Sequence, residues 1–217
     1  MTESKLSGPS REDKKLPFLY LITNRKLCHP KPLEEVISEA LDSGIRFIQL
    51  REKDLNSRDL HVLAGKIKPL TDKYKAILLV NGNVDVALAV DADGVHLPEA
   101  SMPLTEVRKR LGKNKLIGKS IHLPLSLRDD DYNCIDFVTL SPVFNPGEKD
   151  YNPETIGIER LKKSVPEIPV PVYALGGIKP NHIIELKRAG ASGIAVSSGI
   201  MKVPDTKNKV AEYLKVF

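Results

Sequence analysis

The stretch VPVYALGGIKPNHIIELKRAGASGIAVS, residues 170–197, contains one complete unit of the predicted fold. Its two ends, 170–175 and 193–197, are short apolar runs of the kind that form buried strands. Between them, Pro180 suits the first turn of a helix and Gly190 suits its end. The apolar residues of this helix are Ile183, Ile184 and Leu186. The stretch therefore predicts a strand, a helix and a second strand parallel to the first.

The same alternation of apolar runs and helical segments continues along the chain. In the first crossover, Pro32 suits the first turn, Gly44 follows the helix, and an apolar face lies between them. In segment 122–134, a proline and three successive aspartates predict only a short or irregular element. The predicted strands are residues 18–23, 46–51, 76–80, 94–97, 116–120, 136–140, 170–175 and 193–197. Eight short strands, each followed by a crossover, predict an α/β protein with a single closed (β/α)8 TIM barrel.

Length and composition are those of one folded domain. A chain of 217 residues and 24.0 kDa fits a single barrel. With 41% hydrophobic and 28% charged residues, the composition excludes a disordered or collagen-like class. Residues 1–17 contain no apolar segment, so we expect a flexible N-terminal tail there and the barrel domain at 18–217.

Net charge and cysteine usage limit which binding partners and which cellular compartment the sequence predicts. The net charge is +5, but the lysines are scattered and only 5% of residues are aromatic, so we expect no nucleic-acid partner. A bound phosphate metabolite explains the excess charge as well. No segment is long and apolar enough to predict a membrane span. Cys28 and Cys134 have neither metal-ligand spacing nor a disulfide framework, which favours a cytoplasmic protein. A homo-oligomer is compatible with the sequence.

In a barrel of this class, catalytic groups lie at the C-terminal ends of the strands, and phosphate sites commonly follow strands seven and eight. Gly176 and Gly177 follow the seventh predicted strand and let backbone amides approach an anion. Ser197 and Ser198 follow the eighth and can offer hydroxyl and amide groups. These four residues predict a phosphate site. The alternative is that the glycines only form a tight turn and the serines only cap a helix.

Gln49, Arg51 and Lys53 occupy alternate positions at the C-terminal end of the second predicted strand and just beyond it. If the strand continues, the three side chains project toward the barrel mouth, where they suit an anionic or heterocyclic ligand. The alternative is a solvated strand end at which Arg51 pairs with Glu52 or Asp54.

His122 lies just past the fifth predicted strand in a stretch with no evident structural role. An imidazole that titrates near neutral pH can take a proton from one carbon and return it to another, as an isomerase requires. His96 lies within a predicted strand, so we interpret it as a residue of the barrel core.

The carboxylates that hold Mg²⁺ in pyrophosphate chemistry are not at the expected places. After the third strand the chain reads Asn-Gly-Asn at 81–83, and after the fourth it reads Pro-Glu-Ala-Ser at 98–101. Glu99 is the one acid in these two segments. The sequence therefore predicts no metal site.

Seven motifs between about residue 18 and residue 201 resemble one known family. They are LYLIT, IQLREKD, NGNVDVALAV, DGVHLP, IGKSIH, ALGGI and GASGIAVSSGI. The sequence is similar to thiamine phosphate synthases and to their relative TenI, the thiazole tautomerase. This resemblance implies a TIM barrel that acts in thiamine biosynthesis.

The two branches of the family differ at the positions of their charged residues. The synthase joins an aminopyrimidine pyrophosphate to a thiazole phosphate, and its pattern has magnesium acids at the positions of Gly82 and Ser101. Its Pro-Thr-x-Thr-Lys motif after strand six corresponds to 145–149 here, where Lys149 alone is retained. The NG and LP pairs, and a histidine at the position of His122, resemble TenI. The resemblance therefore favours the tautomerase.

In the tautomerase, the resemblance implies that His122 is the catalytic acid and base and that no cofactor is needed. The substrate is a carboxylated thiazole phosphate whose exocyclic alkene becomes an aromatic ring. The residues implied to surround the ring and its carboxylate are Gln49, Arg51, Lys53, Asn81, Ser120 and Lys149. Two alternatives stay open: a Mg²⁺-dependent thiamine phosphate synthase, and a non-catalytic protein that binds thiazole or thiamine phosphate as a regulator.

Overall fold

The chain forms a closed barrel of eight parallel strands in sequence order. The computed structural model describes residues 16–28, 30–123, 125, 127–147 and 154–216. The strands are β1 (Leu19–Ile22), β2 (Phe47–Leu50), β3 (Ile77–Asn81), β4 (Gly94–Leu97), β5 (Leu116–Ile121), β6 (Phe137–Leu140), β7 (Val172–Leu175) and β8 (Gly193–Val196). Because β1 pairs with β8, the sheet has no free edge. The predicted (β/α)8 TIM barrel is confirmed.

Helices fill the crossovers. In the described parts of the chain they are α1 (Leu33–Asp42), α2 (Ser57–Lys73), α3 (Val84–Ala89), α4 (Leu104–Leu111), α5 (Asp129–Tyr132), α6 (Gly157–Ser164), α7 (Ile183–Arg188), α8 (Ser198–Met201) and α9 (Thr206–Lys215). As predicted, α1 starts directly after Pro32, and Gly44 follows it with a φ of 108°. The element predicted to be short, α5, has four residues. No helix of the described residues is long and apolar enough to cross a membrane.

The core has two layers. The outer layer lies between the strands and the helices and contains most of the buried aliphatic residues. The inner layer fills the barrel, where Tyr20 stacks on Phe47 with ring centroids 4.0 Å apart. The inner residues are Tyr20, Ile22, Phe47, Leu79, Leu116, Phe137, Tyr173 and Ala195. Burial of a side chain of this size stabilises the fold by about 2 kcal/mol.

Two details differ from the sequence expectation or extend it. Of the three apolar residues noted in the helix after strand seven, Ile184 is 53% exposed, whereas Ile183 and Leu186 are buried. Residues three apart share one face of a helix, and the residue between them turns away from it.

At the other end of the chain, residues 1–15 of the predicted tail lie outside the described residues. Leu16 packs against the inner layer, and the carbonyl of Pro17 accepts a hydrogen bond from Tyr173 at 2.7 Å.

His96 on β4 is buried within the barrel, as predicted, with 2% of its surface exposed. Gly118 on the neighbouring strand makes room for its ring, because a Cβ there would lie 2.6 Å from His96 Nδ1 and 2.3 Å from Phe137 Cζ. Burial, together with the positive charges of Arg51 and Lys119, lowers the pKa of His96 to about 3. His96 is therefore neutral at neutral pH.

The depressed pKa of His96 predicts a specific loss of stability in acid. The pKa of this histidine is about 6.5 in the unfolded chain and about 3 in the folded chain. At a pH between these two values, the unfolded chain binds a proton at His96 that the folded chain does not. The free energy of unfolding therefore falls as the pH falls through this window, by up to about 1.4 kcal/mol per pH unit. In urea denaturation at a series of pH values, His96→Gln should have a smaller slope than wild type. The exposed His61→Gln is the control, and equal slopes for wild type and His96→Gln would refute the assignment.

The close packing around Gly118 predicts that Gly118→Ala destabilises the barrel. The added methyl group collides with two buried rings, and overpacking of this kind costs about 1–3 kcal/mol. Gly65→Ala in α2 is the matched control, because a Cβ at Gly65 meets nothing within 4 Å and alanine favours a helix. Urea midpoints should move in opposite directions, and a Gly118→Ala variant as stable as wild type would contradict the packing.

Candidate active site

The C-terminal ends of the strands surround a cavity of about 400 Å³. We call it the ring cavity. Its polar lining contains Gln49, Arg51, Lys53, Asn81, His96, Glu99, Ser120, His122, Ser141, Gly176 and Ser197. Its remaining lining residues are Ile22, Pro98, Pro142, Pro146 and Leu175. Side chains from both halves of the barrel thus meet in one place, as the closed sheet requires.

A second cavity of about 760 Å³ adjoins the ring cavity and is called the phosphate cavity below. It is lined by all four residues of the predicted phosphate site, Gly176, Gly177, Ser197 and Ser198. Gly176 and Ser197 line both cavities. A ligand with a phosphate at one end could therefore span the two. Lys149, the remaining predicted site residue, lies outside the described residues.

The two glycines are required by the backbone. Gly176 and Gly177 have φ values of 104° and 61°. A Cβ on Gly176 would lie 2.7 Å from Pro142 Cβ, and one on Gly177 would lie 2.4 Å from the carbonyl oxygen of Asn145. The glycines therefore form a tight turn that packs against the loop after β6. Ser197 precedes α8 but makes no capping hydrogen bond with its side chain.

Gln49 lies within β2, and the loop after the strand brings Arg51 and Lys53 to the same ring cavity although the strand ends at Leu50. The amide of Arg51 donates to Thr23 Oγ1 at 2.9 Å, which fixes the start of this loop. The two acids considered as partners of Arg51 both bind Arg25. The guanidinium of Arg25 lies 3.2 Å from the Glu52 carboxylate and 2.6 Å from the Asp54 carboxylate.

His122 lies at the rim of the ring cavity with its side chain 46% exposed. Its Nδ1 is 2.9 Å from Glu99 Oε2. Because a carboxylate only accepts hydrogen bonds, this contact places a proton on Nδ1 and leaves Nε2 as the nitrogen that can exchange one with a ligand. Sequence reasoning noted Glu99 as an isolated acid but missed this pairing, since 23 residues separate the two.

The loop that carries Glu99 is held by a buried lysine. Lys119 is 5% exposed, and its ammonium donates to the carbonyl oxygens of Pro98 at 2.9 Å and Glu99 at 2.8 Å. The third hydrogen bond goes to Ser101 Oγ at 2.9 Å. All three N–H donors of the ammonium are thus used. Burial lowers the pKa of Lys119, while Glu99 and Asp131 favour the charged form.

The described residues lack the two acids of the magnesium site in the synthase pattern. The two positions at which the synthase pattern has acids are occupied by Gly82 and by Ser101, whose hydroxyl accepts from the Lys119 ammonium. Glu99, the nearby carboxylate, binds His122. Across the part of the chain that the structure describes, no group of three or more His, Cys, Asp or Glu could hold a metal ion. A divalent cation beside Lys119 would also be repelled by its charge.

The floor of the ring cavity contains polar residues that sequence analysis assigned to the core or did not single out. Tyr20 Oη is 3.3 Å from His96 Nδ1, and Ser120 Oγ is 3.0 Å from His96 Nε2. Gln49 Nε2 donates to Tyr20 Oη at 3.0 Å. Thr139 completes the group, 3.3 Å from Ser120 Oγ. The alternation of side chains along a strand could have indicated Tyr20. It lies two residues before Ile22, which lines the cavity, so both side chains face the barrel interior.

Comparison with known proteins identifies the family. The family model described as "Thiamine monophosphate synthase" matches residues 19–200. The "Thiamine-phosphate synthase" of Ruminiclostridium cellulolyticum is 36% identical over 92% of this chain and 94% of that protein. Its counterpart in Clostridium acetobutylicum is 35% identical over 88% of this chain and 90% of that protein.

A solved structure agrees with these sequence matches. The "Thiamine phosphate pyrophosphorylase" of Pyrococcus furiosus is 35% identical, with a TM-score of 0.79 over 92% of this chain and 94% of that one. These relatives carry the synthase name, and none of them is named as a tautomerase. The chain belongs to the thiamine monophosphate synthase family, the family that also includes TenI.

Proposed function

We propose that this protein is a thiazole tautomerase of thiamine biosynthesis, an isomerase that acts on a carboxylated thiazole phosphate without a metal ion. The observation that carries the proposal is the Glu99–His122 pair at the rim of the ring cavity. It supplies one imidazole nitrogen that can accept and return a proton. The chemistry of a tautomerisation needs nothing more than such a relay.

The reaction moves one proton and loses no atoms. His122 Nε2 removes the proton of the saturated ring carbon, and the electron pair of that C–H bond enters the ring. The exocyclic alkene carbon then takes the proton from the imidazolium, which restores neutral His122. Glu99 stabilises the imidazolium while it exists, because its carboxylate accepts the Nδ1 hydrogen bond. The aromaticity of the product drives the reaction forward.

The two adjoining cavities suit the two ends of such a substrate. The phosphate would lie at the loops of Gly176 and Ser197, which border both cavities. Arg51 and Lys53 would bind the carboxylate, since both are cationic and line the ring cavity. Gln49, Asn81 and Ser120 supply hydrogen-bonding groups for the heterocycle. In this proposal the ligand is a small molecule, the protein acts in the cytoplasm, and nucleic acid is not a partner.

His122→Gln should lower kcat of the tautomerisation by a factor of about 10²–10⁴, because glutamine cannot relay a proton. KM should change little, since the other lining residues still hold the substrate. His61→Gln, at an exposed position on α2, is the matched control. The conversion is followed by product formation in the presence and absence of EDTA. Equal rates for wild type and His122→Gln would remove His122 from the mechanism, and inhibition by EDTA would contradict metal independence.

The second candidate is thiamine phosphate synthase, and the names of the relatives favour it. The chain also retains Lys149 and the QLREKD stretch that carries Gln49, Arg51 and Lys53. One requirement of the reaction argues against a synthase. When pyrophosphate leaves, its negative charge must be stabilised, and this stabilisation contributes several kcal/mol to catalysis. A metal ion held by acids supplies it in the synthase pattern, and Gly82 and Ser101 stand where that pattern has its acids.

Incubation with an aminopyrimidine pyrophosphate, a thiazole phosphate and Mg²⁺ should therefore give thiamine phosphate far more slowly than an ordinary enzyme turnover of about 10 per second. Mass spectrometry of the products measures this rate. Formation of thiamine phosphate at an ordinary rate would establish the synthase over the tautomerase. Tight binding of thiazole phosphate with neither reaction would instead support a non-catalytic regulator.

A further inference from the structure

The polar groups on the floor of the ring cavity form one continuous chain of hydrogen bonds. It begins at Gln49 Nε2, which donates to Tyr20 Oη at 3.0 Å. It continues from Tyr20 Oη to His96 Nδ1 at 3.3 Å and from His96 Nε2 to Ser120 Oγ at 3.0 Å. Tyr20, Gln49 and His96 are each at most 2% exposed, whereas Ser120 is partly exposed and lines the cavity.

The direction of each hydrogen bond in this chain follows from the donors available. A tyrosine hydroxyl has one hydrogen to donate. Tyr20 Oη accepts from Gln49 Nε2, and among the contacts of the described residues the acceptor for its own hydrogen is His96 Nδ1. His96 Nδ1 is then an acceptor. The ring is neutral, because burial and the nearby positive charges lower the pKa of His96 to about 3. A neutral imidazole that accepts at Nδ1 carries its hydrogen on Nε2, so His96 donates to Ser120.

Ser120 Oγ is thereby saturated as an acceptor. It accepts from His96 Nε2 at 3.0 Å and from the Thr139 hydroxyl at 3.3 Å, which uses both lone pairs. Thr139 Oγ1 also lies 3.4 Å from His96 Nε2 and is a second, more distant acceptor for the Nε2 hydrogen. Among the contacts of the described residues, the Ser120 hydroxyl hydrogen is the group left over, and Ser120 lines the ring cavity. A hydroxyl that ordinarily rotates between donor and acceptor roles is restricted here to one of them.

We propose that Tyr20 and His96 are positioning residues that make the Ser120 hydroxyl a directed hydrogen-bond donor toward the substrate. The group it selects is an acceptor that gains electron density during the reaction. In a thiazole this is the ring nitrogen, which becomes more basic when the neighbouring C–H bond is broken. This consequence rests on the proposed tautomerase function, whereas the direction of the chain does not.

Nuclear magnetic resonance of the protein with ¹⁵N-labelled histidine tests the direction without any substrate. Two-bond ¹H–¹⁵N spectra identify the tautomer, and His96→Gln assigns the signals. We expect neutral His96 with hydrogen on Nε2, and in Tyr20→Phe the Nδ1 resonance should move toward the value of a nitrogen without a hydrogen bond. Tyr173→Phe is the matched control, because it removes a hydroxyl of the same aromatic cluster that bonds to Pro17. A wild-type ring with hydrogen on Nδ1, or an unchanged Nδ1 resonance in Tyr20→Phe, would overturn the proposal.

Kinetics of the tautomerisation test whether Tyr20 acts through Ser120. Tyr20→Phe and Ser120→Ala should each lower kcat about tenfold with KM nearly unchanged, and the double variant should lose no more than either alone. Independent losses that multiply in the double variant would refute the coupling. If wild type does not turn over the thiazole at all, the proposed function fails, and the spectra still decide the direction of the chain. The ring of Tyr20 stays in Tyr20→Phe, so its stacking on Phe47 is preserved.

Discussion

The pairing of β1 with β8 is the constraint on which the site depends. It sets Tyr20 opposite Ala195 and closes the sheet. In an open sheet of the same strand order, the loop after β2 and the loop after β8 would lie near opposite edges. Closure brings Gln49 and Ser197 to one cavity and directs alternate side chains of every strand into one interior. Aromatic rings pack in this interior, and the ring cavity lies at the C-terminal ends of the strands.

A buried ammonium organises one side of that rim. Removing Lys119 from water would be costly without partners, but three oxygens of the loop after β4 satisfy its donors. The loop is thereby fixed, and with it the backbone of Glu99, the residue that orients His122. The same positive charge stands beside Ser101, one of the positions where synthases place a magnesium acid. The absence of these acids and the presence of the Lys119 cation act in one direction, because each makes the site less suited to a divalent metal.

The fold was predictable because its signals are local. Each strand is a short apolar run, and residues such as Pro32 and Gly44 mark where a helix starts and ends whatever surrounds them. The strand ends also placed His122 and Arg51 at the cavity before any contact was known. The contacts within the site could not be predicted, since they join residues that are far apart in the sequence. Lys119 binds a loop that lies about 20 residues earlier, and the Glu99 partner of His122 comes from the loop after the neighbouring strand. His96 shows the same limit. Its burial followed from its strand, but its link to Ser120 required the register between β4 and β5.

The site combines a mobile proton with a fixed one. His122 is half-exposed at the rim, where its Nδ1 contacts the Glu99 carboxylate, and the proposed function uses it as the proton relay. Ser120 lies on the floor, where buried partners hold its hydroxyl in one direction. A histidine buried on the floor would stay neutral at neutral pH and could not take up a proton, as the low pKa of His96 illustrates. A directing hydroxyl at the rim would exchange its partners with water. The division between rim and floor therefore follows from solvation. Under the proposed function, bond breaking belongs to His122 and charge stabilisation to Ser120.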